Sequence, residues 1–218
     1  MCFSAAASFI ASGTTGALGV ATLWNTRAAR EVPLASAPLL FGAQQFIEGV
    51  VWLSFQDPSV AAWNGVATHA YSLFSHVLWP FYIPFGLLLL EPDRIRRRIL
   101  VALLSLGALV SAYLLFFVVF DPVTSQVANH SIRYNYHHHY ADLTLALYLI
   151  AVCASGVVSS FPMLRFFGAA LGVAFVAAFV MYSVTFFSVW CFFGAALSVT
   201  LFFHFRERRL AELGAKAC

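Results

Sequence analysis

Seven long apolar runs divide the chain, near residues 5–24, 34–54, 66–90, 99–120, 141–158, 166–186 and 188–205. A bilayer core of about 30 Å needs roughly 20 apolar residues per crossing helix. Runs of this length read as helices, because in lipid every backbone polar group must be satisfied inside its own segment. The pattern predicts an all-α polytopic membrane bundle of about seven transmembrane helices. We expect a single integral membrane domain over 1–218, with a long loop at 121–140 and a basic tail at 206–218. The N-terminus lacks a basic n-region, and the first run is followed by further spans, so no cleaved leader is expected.

Composition agrees. Of the 218 residues, 61% are hydrophobic and 10% charged, against about 25% charged in soluble domains. That excludes an ordinary soluble enzyme, a disordered chain and a nucleic-acid binder. Charge adds direction. Arg27, Arg30, Arg94, Arg96, Arg97, Arg98, Arg165, Arg206, Arg208, Arg209 and Lys216 fall in alternate connections and the tail, and only Arg133 falls on the other side. Basic loops stay in the cytoplasm, so the N-terminus is expected outside and the C-terminus inside. Trp24, Trp52 and Trp63 are expected at the interface. Ser8, Ser12 and Gly16 form a small-residue stripe suited to close helix packing.

With direction set, the polar residues acquire depth. Glu48, Gln44 and Gln45 lie in the outer half of the second helix. His69, Ser72 and His76 share one face of the third. Cys2 opens the first helix, Ser188 and Cys191 begin the seventh, and His130 with His137, His138 and His139 lies in the outer loop. The inner halves are almost wholly apolar. This asymmetry predicts a polar cavity open to the outside.

Glu48 is the sharpest residue in it. An acid within a span costs about 2.5–3.5 kcal/mol and faces a cavity or a partner. No Lys or Arg occurs in a predicted span, so its partner is a metal, a His or a neutral donor such as Gln44; otherwise it carries its own proton. Two readings stay open. In one, His76, His130, Cys2 and Cys191 hold a transition metal, Zn or Cu, while Glu48 acts as general base and Ser72 orients water or substrate. Gln44 and Gln45 then line the site, and the substrate is a lipid or small apolar molecule. In the other, Glu48 and His76 are proton or ion ligands of a non-enzymatic binding or transport protein. A structural subunit of a membrane complex is a third class, which leaves the polar asymmetry unexplained. Cys2 and Cys191 are both expected on the oxidising side and, if close, could pair as a disulfide. Pro80 and Pro84 are expected to kink the helix beneath His76.

Several segments carry a resemblance: Met1-Cys2-Phe3-Ser4-Ala5, Phe41 to Trp52, Phe74-Ser75-His76-Val77-Leu78-Trp79-Pro80, Leu90-Glu91-Pro92, His130-Ser131-Ile132 and Ser188 to Phe193. With these the chain resembles an uncharacterised bacterial multi-pass membrane family without assigned activity, which implies residence in a bacterial cytoplasmic membrane. Seven helices with Ser72-x-x-x-His76 and Glu48 are also similar, much more weakly, to the alkaline ceramidase and related zinc hydrolase superfamily. That likeness implies a zinc-activated water acting on a lipid amide. The seventh helix lacks an H-x-x-x-H pair, which departs from that pattern.

Overall fold

The computed structural model describes residues 4–128, 130–135, 139–182 and 184–217, with no side-chain description at 212 and 214–217. Among the described residues, seven helical segments are long and apolar enough to cross a membrane, from Ala5–Trp24 to Phe186–Ala211. The first is α1 (Ala5–Trp24), the second α2 (Val32–Ala35) with α3 (Ala37–Gln56). The third joins α4 (Asn64–Ser72), a π-helical segment (Leu73–Leu78) and α5 (Trp79–Leu90). The fourth is α6 (Arg94–Phe120). The fifth joins α7 (Ala141–Leu149), a second π-helical segment (Ile150–Ala154) and α8 (Ser155–Val158). The sixth is α9 (Pro162–Met181), and the seventh comprises α10 (Phe186–Leu197) and α11 (Val199–Ala217). Thus 206–217 continues a helix where a tail was expected.

The expected loop at 121–140 also has structure of its own. Thr124–Ala128 (β1) pairs antiparallel with Ser131–Asn135 (β2), with Gln126 opposite Arg133. In β2, Ile132 and Tyr134 are buried and Arg133 is exposed, the two-residue period of a half-buried strand. Turn-forming Asn and His residues around so short an alternation hide it in the sequence. His130 takes φ 57° at the turn.

Helices in lipid gain little from hydrophobic attraction to one another, so close packing of small residues carries their association. The α1–α3 pair shows this. A Cβ at Gly42 would meet Gly16 N at 2.8 Å and Ser12 O at 3.1 Å, and one at Gly49 would meet the Phe9 ring at 2.7 Å. These contacts set α1 antiparallel to α3, with Ser8 near the level of Glu48. The small-residue stripe is therefore a packing device. Trp24 and Trp63 are exposed as interfacial rings are, whereas Trp52 is buried against Tyr71 and Ile132.

Proline chemistry shapes the third span. Pro80 has no N–H for the His76 carbonyl, and Pro84 none for the Pro80 carbonyl. The strand of hydrogen bonds is rerouted: the π segment opens, Tyr148 Oη donates to Ser75 O at 2.7 Å, and Ser111 Oγ donates to Val77 O at 2.7 Å. The Pro80 carbonyl points at α6, where a Cβ on Gly107 would lie 1.9 Å from it.

The arginine-rich end is tied together by polar clamps. Buried Glu91 accepts from Asp93 N (3.1 Å), from Ser160 N (2.8 Å) and from Ser160 Oγ. Arg96 Nη1 donates to Val158 O and Ser159 O at 2.9 and 2.7 Å.

Candidate functional site

Below the hairpin, α3 brings Gln44, Gln45 and Glu48 into the bundle interior, all fully buried. The spacing of four places Gln44 and Glu48 on adjacent turns of one face. Across from them, α10 supplies Ser188 and Cys191 from consecutive turns. Ser188 Oγ donates to Glu48 Oε1 at 2.5 Å, and Ser131 Oγ of β2 donates to Ser188 Oγ at 3.3 Å. The two hydroxyls form a directed chain from the hairpin to the carboxyl group. Cys191, a free thiol, is buried one turn beyond Ser188 on the same helix.

Gln44 is anchored from below: Trp79 Nε1 donates to its Oε1 at 2.7 Å, and the Trp79 ring stacks on Phe41 at 3.9 Å. Leaving a buried indole N–H unmatched costs about 1–3 kcal/mol. Gln44→Leu therefore loses about 2 kcal/mol of stability, while adding Trp79→Phe recovers part of it. A double-mutant cycle on thermal unfolding in detergent reads the coupling.

Gln45 differs from its neighbour. Among the described residues neither its Oε1 nor its Nε2 has a hydrogen-bond partner, and neither does Ser8 Oγ, also fully buried. Such groups in an apolar interior are ordinarily matched, so these atoms are unused hydrogen-bonding capacity inside the bundle.

His76, like Ser72, is fully buried in the third span. Its Nδ1 bonds Ser75 Oγ at 2.7 Å, and its ring lies 4.2 Å from that of Phe187. Ser72 Oγ instead donates back to Thr68 O at 2.9 Å. His76 lies within the π segment that begins at Leu73, directly after Ser72. His76 also lines a cleft of about 180 Å³ with Tyr148, Asp142 and Phe186. The hairpin covers the site: Tyr134 stacks on Tyr71 at 4.2 Å, and Thr68 Oγ1 and Ser125 Oγ are bonded at 2.8 Å.

Among the described residues the expected metal ligands are not gathered into one group. His130 is exposed at the hairpin turn while His76 is fully buried. The described residues contain no group of three His, Cys, Asp or Glu able to hold a metal ion. Cys2, His137 and His138 lie outside the described residues. His69 is half-buried and bonds Gly65 O at 2.9 Å through Nδ1. Ser75, Ser131, Tyr71, Tyr134 and Tyr148 are site residues that the reading of the spans passed over. Ser75 and Ser131 had one available signal: each sits beside a histidine in a segment that carried the family resemblance.

The whole-chain comparison fits the sequence pattern. A family of unknown function, DUF6629, matches residues 1–216, and the chain belongs to it. No curated protein matches, and no solved structure matches.

Proposed function

We propose that this DUF6629 member is a non-enzymatic membrane-embedded binding protein in which Glu48 exchanges a proton with the hairpin side of the bundle. The observation that carries the reading is the hydroxyl chain Ser131 to Ser188 to Glu48. Both hydroxyls donate toward the carboxyl, so a proton on the hairpin side has a bonded route of two links to it. Under the orientation that basic loops favour, that side faces outward. The apolar halves of the spans toward the arginine-rich end supply no continuation, which suits a binder or sensor better than a conduit. Gln45 and Ser8 supply the capacity for a small polar guest whose binding responds to the Glu48 proton.

Infrared spectroscopy of the protein in lipid, titrated with pH, tests this. The expected result is a protonated-carboxyl stretch that responds to pH and disappears in Glu48→Gln. In Ser188→Ala the band moves to higher frequency, as a carbonyl released from a hydrogen bond does, and its hydrogen–deuterium exchange slows. A titrating band that survives in Glu48→Gln, or no pH-dependent carboxyl band in the parent protein, overturns the proposal.

A further inference from the structure

At the arginine-rich end, His204 and Arg208 of α11 lie four residues apart on one helix face and share the ring of Phe161. The His204 ring is 5.0 Å from it, and the Arg208 guanidinium carbon stands 5.3 Å above its centroid. Arg208 Nη2 pairs with Glu31 Oε1 at 3.1 Å, and Arg27 N donates to Glu31 Oε2 at 2.8 Å. Arg209 Nη1 donates to Trp24 O at 2.6 Å, so α11 is held firmly against the end of α1.

Two polar atoms in this assembly are unused. His204 Nε2 and Arg208 Nη1 are both buried without a hydrogen-bond partner among the described residues. His204 is only 4% exposed, while the Arg208 side chain is 30% exposed and so reaches the surface. A guanidinium nitrogen only donates, so the matching group must accept. A cation is excluded beside the guanidinium. Because Glu31 already offsets one positive charge there, a monoanion is favoured over a dianion. The fork of Arg suits the two oxygens of a phosphate, and α11 emerges here among Arg206 and Arg209, at the depth where headgroups lie.

We propose that Arg208 Nη1 and His204 Nε2, on the rim of Phe161, recognise a monoanionic phosphate group. A phospholipid headgroup and a free phosphate share that chemistry, and the test separates them. The full chain in detergent is titrated with phosphatidylglycerol, with phosphatidylcholine or with inorganic phosphate, and read by native mass spectrometry and thermal unfolding. The expected result is one retained phosphatidylglycerol per chain, with retention weakened about tenfold in Arg208→Lys and in His204→Phe, which keeps the stacking on Phe161. Exposed Arg165→Gln leaves retention unchanged. Stabilisation by inorganic phosphate alone, lost in the same two variants, assigns the site to free phosphate. Equal binding by parent and His204→Phe, loss of binding in Arg165→Gln as well, or no binding of either probe overturns the proposal.

Discussion

Gly107→Ala is expected to destabilise the bundle by about 3–4 kcal/mol, at the upper end of what overpacking costs. The added Cβ would sit 1.9 Å from the Pro80 carbonyl oxygen, which is backbone and cannot swing away. Relief requires α6 to withdraw from the third span. Withdrawal strains the nearby Ser111–Val77 bond, a further cost of about 1 kcal/mol. The cause lies four residues downstream, where Pro84 leaves that carbonyl without its helical donor and free to lean on α6. Gly13→Ala is the matched control. Nothing lies within 4 Å of its added methyl, and alanine is the better helix former, so its thermal midpoint stays equal or rises slightly. A Gly107→Ala midpoint within error of the parent would mean that α5 and α6 do not approach as described.

Glu91→Ala is expected to cost about 3 kcal/mol, because it strips the acceptor from three donors at once in a buried turn. Its carboxyl is the link between the α5–α6 turn and the α8–α9 turn, which lie 69 residues apart in sequence at Ser160. Arg96 reinforces the same junction through Val158 O and Ser159 O. Glu91→Gln keeps one acceptor oxygen and loses less. Limited proteolysis between Val158 and Phe161 gives the local readout: cleavage rises sharply in Glu91→Ala and modestly in Glu91→Gln. Unchanged protection in Glu91→Ala would show that Arg96 alone holds the turn.

The spans were legible because their signal is composition over about 20 residues, which lipid enforces without reference to neighbours. Glu48, Gln44 and Gln45 were legible for the related reason that a polar group inside a span needs a purpose. Partners were not. Ser188 meets Glu48 across 140 positions, and Ser131 reaches Ser188 from a hairpin that no span-length pattern reveals. The π-helical stretch that holds His76 was not legible, because prolines reroute backbone hydrogen bonds without changing the apolar pattern of the span. Metal chemistry was read from residue types alone. Imidazole and thiol on one side of a membrane become a ligand set only if the fold aims them together, and exposed His130 and buried His76 are not so aimed.

The two π segments hold a surplus residue each, and the Tyr148–Ser75 bond runs from the edge of one into the other. Tightening either into ordinary α-helix would turn everything beyond it by about 100° about the helix axis. That turn would carry Ser75 or Tyr148 away and break the bond between them. The register of each slackened coil is thus tied to that of the other through this single link.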